Sequence, residues 1–518
     1  MTTIAPFAAG SYTATRNASQ LVSLKSQLND LTTQLSSGLT AQTYGGLGTG
    51  RSAALSAQAS VSTLTGYAAV IGTAQTRAKL ATTSLSQVVT VANSANAALQ
   101  NGLQSTSVSG QTAKSTALNN LNAALDALNQ SDGSVYLFGG RDGTTTPVLD
   151  SDTIINGTTD ANGNSLDGLS TLVSQQVAAD LGTAGNGRLT QATNGTTVSL
   201  SEDASARAGA PKGSFGFALN GITASNTAAF GVTQTSTVKP MSYSLDLTSQ
   251  PNAGDSVTVK LGLPDGTITT VTLTAAANAQ PASSATTFAI GADATATAAN
   301  LSSALTSALS GAAAGPLTAN ATARASTDFF SASDAAGTVP RRVTVTNGEP
   351  SYTAGTTANT VVWYRGEGTG SSADARASQS FQIGTSSTVK LGAQANEAPI
   401  QSVLAGLATV ALGMPTGITT PGSYAAVVAQ ATPLLAAANT SPSVQDIVTD
   451  FSLSAARMSA AASTNTAQQS TFQDTIDGIE QPSTEEVAAK LLDVQNRLQA
   501  SYQITSTLSK LSLVNYLS

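Results

Sequence analysis

The chain has neither cysteine nor histidine in 518 residues. Disulfides, Cys/His zinc sites, haem ligation by Cys or His, a histidine general base and the Ser-His-Asp and Cys-His nucleophile pairs are therefore excluded. Charge is scarce as well: Asp, Glu, Lys and Arg make up 10%, against roughly 25% in ordinary globular proteins. Aromatic residues are 4%. Basic residues stand singly or, at Arg341-Arg342, as a pair. With a net charge of −7 and a pI near 4.7, that scatter argues against nucleic-acid binding. No apolar run approaches the roughly 18 residues that span a bilayer; the longest, 403–412, is short and contains Gly and Thr. Residues 1–20 show no basic segment followed by an apolar core, so no cleaved secretory leader is expected. What remains is rich in Ser, Thr, Ala and Gly, a building material rather than an enzyme. No catalytic, cofactor-binding or metal-ligating residue is assigned.

The length allows about three or four domains, and periodicity separates the ends from the middle. Leu21, Leu24, Leu28, Leu31 and Leu35 alternate spacings of three and four, a heptad seam that stops at Gly38. After a glycine-rich stretch a much longer seam begins. Val61, Leu64, Ala68, Ile71, Gln75, Ala78, Thr82, Leu85, Val89, Ala92, Asn96 and Leu99 keep the alternation, without proline, in a helix expected over 51–100. A shorter helix carries Leu118, Leu121, Leu125 and Leu128. The C-terminal end mirrors this with Val444, Ile447, Phe451, Ser454, Met458 and Ala461, and that helix is expected to break at Gly478 and Pro482. Ser483 and Glu486 then form a capping-box signature, ahead of a helix with Val487, Leu491, Val494, Leu498, Leu508 and Leu511.

Between these ends, Asp/Asn-Gly turns and period-two runs appear. Val257, Val259, Leu261 and Leu263, the turn Pro264-Asp265-Gly266, and Ile268, Val271 and Leu273 read as a β-hairpin. A helix follows over 298–309, then strand-like pieces at Val343 and Val345, 361–364, Phe381 and Ile383, and Val389 and Leu391. Residues 225–237 and 274–287 hold few large apolar side chains and read as loops or edge structure. The fold class expected is α+β: long N- and C-terminal heptad helices form a coiled-coil-like rod that carries a β-rich inserted outer domain. The domain boundaries are 1–50 plus 478–518 for a terminal assembly domain, 51–147 plus 440–477 for the rod, and 148–439 for the insertion. Seams this long cannot all be buried within one chain, so self-assembly is expected. Its interface is assigned to Leu21, Leu24, Leu28, Leu31, Leu35, Val487, Leu491, Val494, Leu498, Leu508 and Leu511. Within it, Leu24, Leu28 and Leu31 are expected to pack on Leu491, Val494 and Leu498 of the same or a neighbouring copy.

Motifs with chemistry read better as structure. Ser-x-x-Lys occurs at Ser236/Lys239 and Ser387/Lys390, but in extended text, where the catalytic version needs a helix start. Asp160, Asn162 and Asn164 imitate a calcium loop; Ser165 replaces its glycine and Thr171 its closing Glu, so an Asx-rich turn is expected. The glycines at 45–50 and 366–370 lack the phosphate-loop ending.

Both ends resemble the bacterial flagellin family. The resemblance rests on Leu28-Asn-Asp-Leu-Thr-Thr-Gln-Leu-Ser-Ser-Gly38, on the long helix after it, and on the ending Leu508-Ser-Lys-Leu-Ser-Leu-Val-Asn-Tyr-Leu-Ser518. It covers about 1–145 and 440–518. Val135-Tyr-Leu-Phe-Gly-Gly-Arg-Asp-Gly143, followed by Pro147, and the Leu-Ser-Leu-x-x-Tyr-Leu ending are more similar to the family's hook–filament junction subunits than to its bulk filament subunits. Where the family has Asp-Asp-Pro-Ala, this chain has Tyr44-Gly-Gly-Leu-Gly-Thr-Gly-Arg51.

The resemblance implies a non-enzymatic subunit of the extracellular flagellum, exported unfolded without a cleaved signal. The partners it implies are copies of itself, other axial proteins (a hook-side junction protein and filament flagellin) and an export chaperone. No cofactor, nucleic acid or membrane insertion is implied. Bulk filament flagellin is the alternative within the family. From a different class, a stalked adhesin would need a concave aromatic-lined site, for which Tyr352, Trp363, Tyr364 and Phe381 are the available residues.

Overall fold

A computed structural model describes residues 6–104, 110–204, 215–277, 286–333, 337–367, 375–415 and 421–517. In chain order its helices are α1 (Pro6–Ser37), α2 (Arg51–Leu103), α3 (Gly110–Leu128), α4 (Ser151–Asn156), α5 (Leu169–Leu181), α6 (Ala294–Ala312), α7 (Thr318–Ser331), α8 (Ala398–Gly413), α9 (Pro421–Leu435), α10 (Val444–Glu480) and α11 (Thr484–Leu517). Short strands lie between them. These are β1 (Thr158–Thr159), β2 (Ser165–Leu166), β3 (Leu189–Asn194), β4 (Thr197–Glu202), β5 (Ala218–Ala224), β6 (Phe230–Ser236), β7 (Ser242–Leu247), β8 (Ser256–Gly262), β9 (Ile268–Ala276), β10 (Thr287–Ala289), β11 (Arg342–Thr346), β12 (Glu349–Thr353), β13 (Ser380–Gln382) and β14 (Thr388–Lys390). The chain is α+β. It divides into two compact units: Met1–Thr73, Gln382–Thr388 and Arg457–Ser518 form the first, Ala74–Phe381 and Val389–Ala456 the second.

The first unit is helical. Gly38 ends α1 in the left-handed region (φ +70°), where its N–H donates to the Gln34 carbonyl at 2.9 Å. A 3-10 turn, Tyr44–Gly50, then leads into α2. A Cβ at Gly50 would stand 2.9 Å from Cγ2 of Ile479, so a larger residue there would force that side chain to shift. At the other end α10 runs through Gly478 to Glu480. Gly478 therefore does not break the helix as its residue type suggests; a helical glycine weakens it by roughly 1 kcal/mol, and Pro482 stops it. The hydroxyl of Ser483 accepts from the Glu486 amide at 3.3 Å, which caps α11. The reciprocal half of the capping box is replaced by a Glu486–Lys490 ion pair.

The second unit holds two four-stranded sheets, ordered β3-β4-β7-β6 and β10-β9-β8-β5. Together with α6 they close on one apolar core that includes Val198, Leu245, Val259, Leu273 and Leu305. The hairpin read from Asp265-Gly266 is β8–β9, with Lys260 opposite Thr270. Val257, Val259, Leu261, Val271 and Leu273 face the core, but Ile268 is 58% exposed. The pleat explains it: odd positions of β9 point inward, and 268 is even.

Residues 230–236, low in large apolar side chains, are the edge strand β6. Residues 361–364 are not a strand; Tyr364 makes only an isolated bridge with Val148. The segment 148–439 is also more helical than its turn-rich text suggests, since α4 to α9 fall within it. The apolar run at 403–412 lies in α8, which is buried on nearly all sides with α3, α7 and α9 packed against it. No described helix is long and apolar enough to cross a membrane.

Helix α2 passes from the first unit into the second, and its burial follows seven-residue spacing throughout. Leu64, Ile71, Ala78, Leu85, Ala92 and Leu99 are buried as the seam requires. The companion row is only partly followed: Val89 is buried as expected, but Ala68 is exposed and Val61, Gln75, Thr82 and Asn96 are half-buried, while Ala74, Ala81, Val88 and Ala95, one position earlier, are buried. Either neighbour of a heptad row keeps the 3-4 alternation, and the partner surface selects between them.

Candidate assembly surface

The terminal seams meet within the first unit. The Thr40 N–H donates to the Glu480 carbonyl at 2.6 Å, which sets the C-terminal end of α1 beside the start of α11. The two helices pack along each other and so run antiparallel. The seam of α1, read from Leu35 back to Leu21, is thereby aligned with that of α11 read from Val487 to Leu498.

The alignment buries the seam only partly. Val487 and Val494 are buried; Leu21, Leu24, Leu28, Leu31, Leu491 and Leu498 are half-buried; Leu35 remains 45% exposed. The side chains of Leu508 and Leu511 lie outside the described residues. Off the seam, Val22, Leu492, Tyr502 and Ile504 are each more than half exposed, and sequence reading passed over all four. Their signal was available, since each is a large apolar side chain at a position where a two-stranded pair needs a polar one. Charges on α11 form i,i+4 pairs, Glu486–Lys490 at 2.6 Å and Asp493–Arg497 at 2.9 Å, all four side chains well exposed. Lys490 holds the Glu486 carboxyl below its usual range. Exposed pairs of this kind contribute little stability.

Other parts of the first unit are thinly covered too. Between Arg51 and Thr73, α2 buries Ala54, Ala57, Leu64 and Ile71, while Leu55 and Val70 are exposed. The tip of the β13–β14 hairpin belongs to this unit: Ile383 is buried, and its carbonyl accepts from the Asn465 side-chain amide at 3.3 Å. Beside it a cavity of about 650 Å³ is lined without formal charge by residues of α2 and α10, including Thr63, Tyr67, Thr464 and Phe472.

The remaining motifs resolve into structure. Asp160 accepts from the amides of Asn162 and Asn164 at 2.9 and 2.8 Å. These bonds, led by the Asn164 side chain, hold its carboxyl below the usual range, as in an Asx turn. Among the described residues no three acidic side chains are grouped to hold a metal ion. Ser387 sits in the β13–β14 turn and Ser236 at the end of β6, so neither opens a helix that could carry its lysine back to it. Residues 368–370 of the second glycine run lie outside the described residues.

Of the four aromatic residues available to an adhesin site, two are core and two lie under guanidinium groups. Trp363 and Tyr364 are fully buried, and the Trp363 indole N–H donates to the Phe330 carbonyl at 3.0 Å. Tyr352 lies under the Arg341 guanidinium, 4.0 Å from the ring centroid, and Phe381 under that of Arg77 at 5.6 Å.

No protein-family model matches the chain, and no curated protein matches it at a significant level.

Proposed function

We propose that this protein is a structural, non-enzymatic subunit of the bacterial flagellum that assembles through its terminal helices, at the hook–filament junction. The observation that supports the reading is the half-covered α1–α11 pair. Two heptad helices pack together in one chain yet leave Leu35, Val22, Leu492, Tyr502 and Ile504 in water. A soluble monomer gains nothing from such a surface, whereas neighbouring copies can bury it. On this reading the terminal helices are the coiled-coil-like assembly element and 148–439 is an inserted domain. Partners are further copies and the adjoining axial proteins, delivered by an export chaperone to the cell exterior. The Val135–Gly143 turn and the C-terminal ending favour the junction role over bulk filament.

The test replaces Leu28 and Leu498 with Asp together. Assembly is expected to be abolished while the second unit unfolds at its normal midpoint. A double variant that still assembles overturns the proposal. A deletion strain separates the subclasses: hooks that shed filament subunits into the medium indicate the junction role, and shortened filaments the bulk role.

A further inference from the structure

Asparagine followed by glycine occurs seven times, at Asn101, Asn156, Asn162, Asn186, Asn194, Asn220 and Asn347. Such a pair carries its own chemistry. The glycine amide nitrogen can attack the carboxamide carbon of the asparagine before it, because no Cβ hinders the approach. The attack needs an amide that is not committed to a hydrogen bond and a side chain free to swing over it.

The fold commits most of these amides. Gly157 donates to the Thr153 carbonyl at 3.0 Å, Gly163 to that of Asp160 at 3.0 Å and Gly187 to that of Leu181 at 3.1 Å. Gly102 and Gly221 lie inside α2 and β5, where the element holds the backbone. Two pairs differ. Asn194-Gly195 leads into the β3–β4 turn, and Asn347-Gly348 forms the β11–β12 turn, with φ +54° and +85°. A two-residue turn is closed by bonds between its flanking residues, so the amides inside it stay unused. Among the described residues neither the Gly195 nor the Gly348 amide has an acceptor, and neither asparagine side chain has a hydrogen-bond partner. All four residues are exposed.

We propose that Asn194 and Asn347 are sites of spontaneous deamidation, with water as the only co-reactant. The deprotonated glycine nitrogen bonds to the asparagine Cγ, the Cγ–Nδ2 bond breaks, and ammonia departs to leave a cyclic succinimide. Water then opens the ring at either carbonyl, giving aspartate or isoaspartate; nothing is oxidised or reduced. Each event adds a negative charge. Opening to isoaspartate also puts the side-chain methylene into the backbone of a tight turn. At 347 that displaces the Gly348 carbonyl, which accepts from Arg188 at 3.0 Å. The Arg188 guanidinium is 6% exposed and otherwise engaged by the Ala179 carbonyl and Asp203.

Peptide mapping of the full chain tests this after incubation in mildly alkaline buffer, using mass spectrometry with fragmentation that separates isoaspartate from aspartate. Asn162 is the matched control: it too is exposed and its glycine is left-handed at φ +84°, but that glycine's amide is bonded. In the native protein Asn194 and Asn347 should convert about tenfold faster than Asn162, the factor that one ordinary hydrogen bond confers. In urea, where the fold is lost, the three rates should converge. Native Asn162 converting as fast as either turn asparagine, or a difference that persists in urea, overturns the proposal. So does a native chain that stays unconverted at 194 and 347 while the urea-unfolded chain converts fully.

Discussion

The two units solve the same problem, burying apolar side chains, to very different degrees. The second closes two sheets and α6 on a shared core and surrounds α8 with helices. The first buries single rows. Most of the large apolar side chains that stand exposed among the described residues belong to it, from Tyr12, Val22 and Leu35 on α1 to Leu492, Tyr502 and Ile504 on α11. Helix α2 makes the comparison inside one element. Up to Thr73 it buries one stripe; beyond it Ser84, Val88, Val91 and Ala95 are buried beside the seam residues Leu85, Val89 and Ala92, as on a helix covered from several sides. A heptad pattern therefore reports that a face seeks a partner, and does not report that the partner is in the same chain.

The largest effect expected from breaking this contrast is at a buried ion pair of the second unit. Asp180 is fully buried; burial pushes its carboxyl up, and Arg324, the Gly216 amide and Gln176 oppose that rise. Arg324 also donates to the Tyr352 hydroxyl at 2.9 Å. Arg324→Met removes the carboxylate's ion-pair partner, leaving it only the Gly216 and Gln176 hydrogen bonds, and should cost about 3–5 kcal/mol in urea unfolding. Adding Asp180→Asn should recover much of that loss. Among the described residues no buried ion pair supports the first unit, so a comparable loss from Lys490→Met there would contradict the comparison.

Two leucines of the same α2 row come next. Leu85 is 0% exposed and Leu64 is 8% exposed. Leu85→Ala should cost about 3–5 kcal/mol and Leu64→Ala about 2 kcal/mol, the low end for a site that can collapse. Equal losses by chemical denaturation would show that the first unit is as well packed as the second.

Acid should separate the units further. Burial alone raises the Asp132 carboxyl, but the Ser134 side chain, the Val135 and Ser134 amides and Arg77 override it and hold it well below the carboxylate range. A carboxyl depressed in the native state contributes stability above its unfolded pKa, and that contribution disappears as pH falls below about 4. Asp132→Asn should therefore destabilise the second unit at pH 7 and flatten its decline between about pH 4 and pH 2. Trp363 fluorescence, which reports on that unit, is the readout, and a parallel acid limb in the variant would refute the assignment.

The smallest effect is a gain. A Cβ at Gly478 meets nothing within 4 Å, so Gly478→Ala should stabilise the first unit by about 0.5–1 kcal/mol. No gain in the melting of α10 would mean that the glycine serves a conformation other than this helix.

Much of this was legible in the chain itself. The long helices, the Gly38 stop, the Ser483 cap and the Asp265-Gly266 hairpin follow from periodicity and turn chemistry, because those signals are local. Helices α5, α7 and α9 were not legible. In α7 Ala, Ser and Thr predominate, and in α5 and α9 the apolar residues are interleaved with small ones without a clear stripe; the surface each covers supplies what the local pattern does not. The buried row one position earlier on α2 and the outward Ile268 escaped for a related reason: period alone permits two faces, and only a neighbour chooses one.

The sequence by itself determined that no Cys or His chemistry operates here, and that both ends carry apolar stripes at helical spacing. These are properties of composition and of chain geometry. The tertiary structure decided which stripe is covered and which is left to water. It also decided that Trp363 and Tyr364 are core rather than platform, and that Arg188 is spent on the fold. Each of those depends on what stands opposite, and residues distant in sequence supply that neighbour.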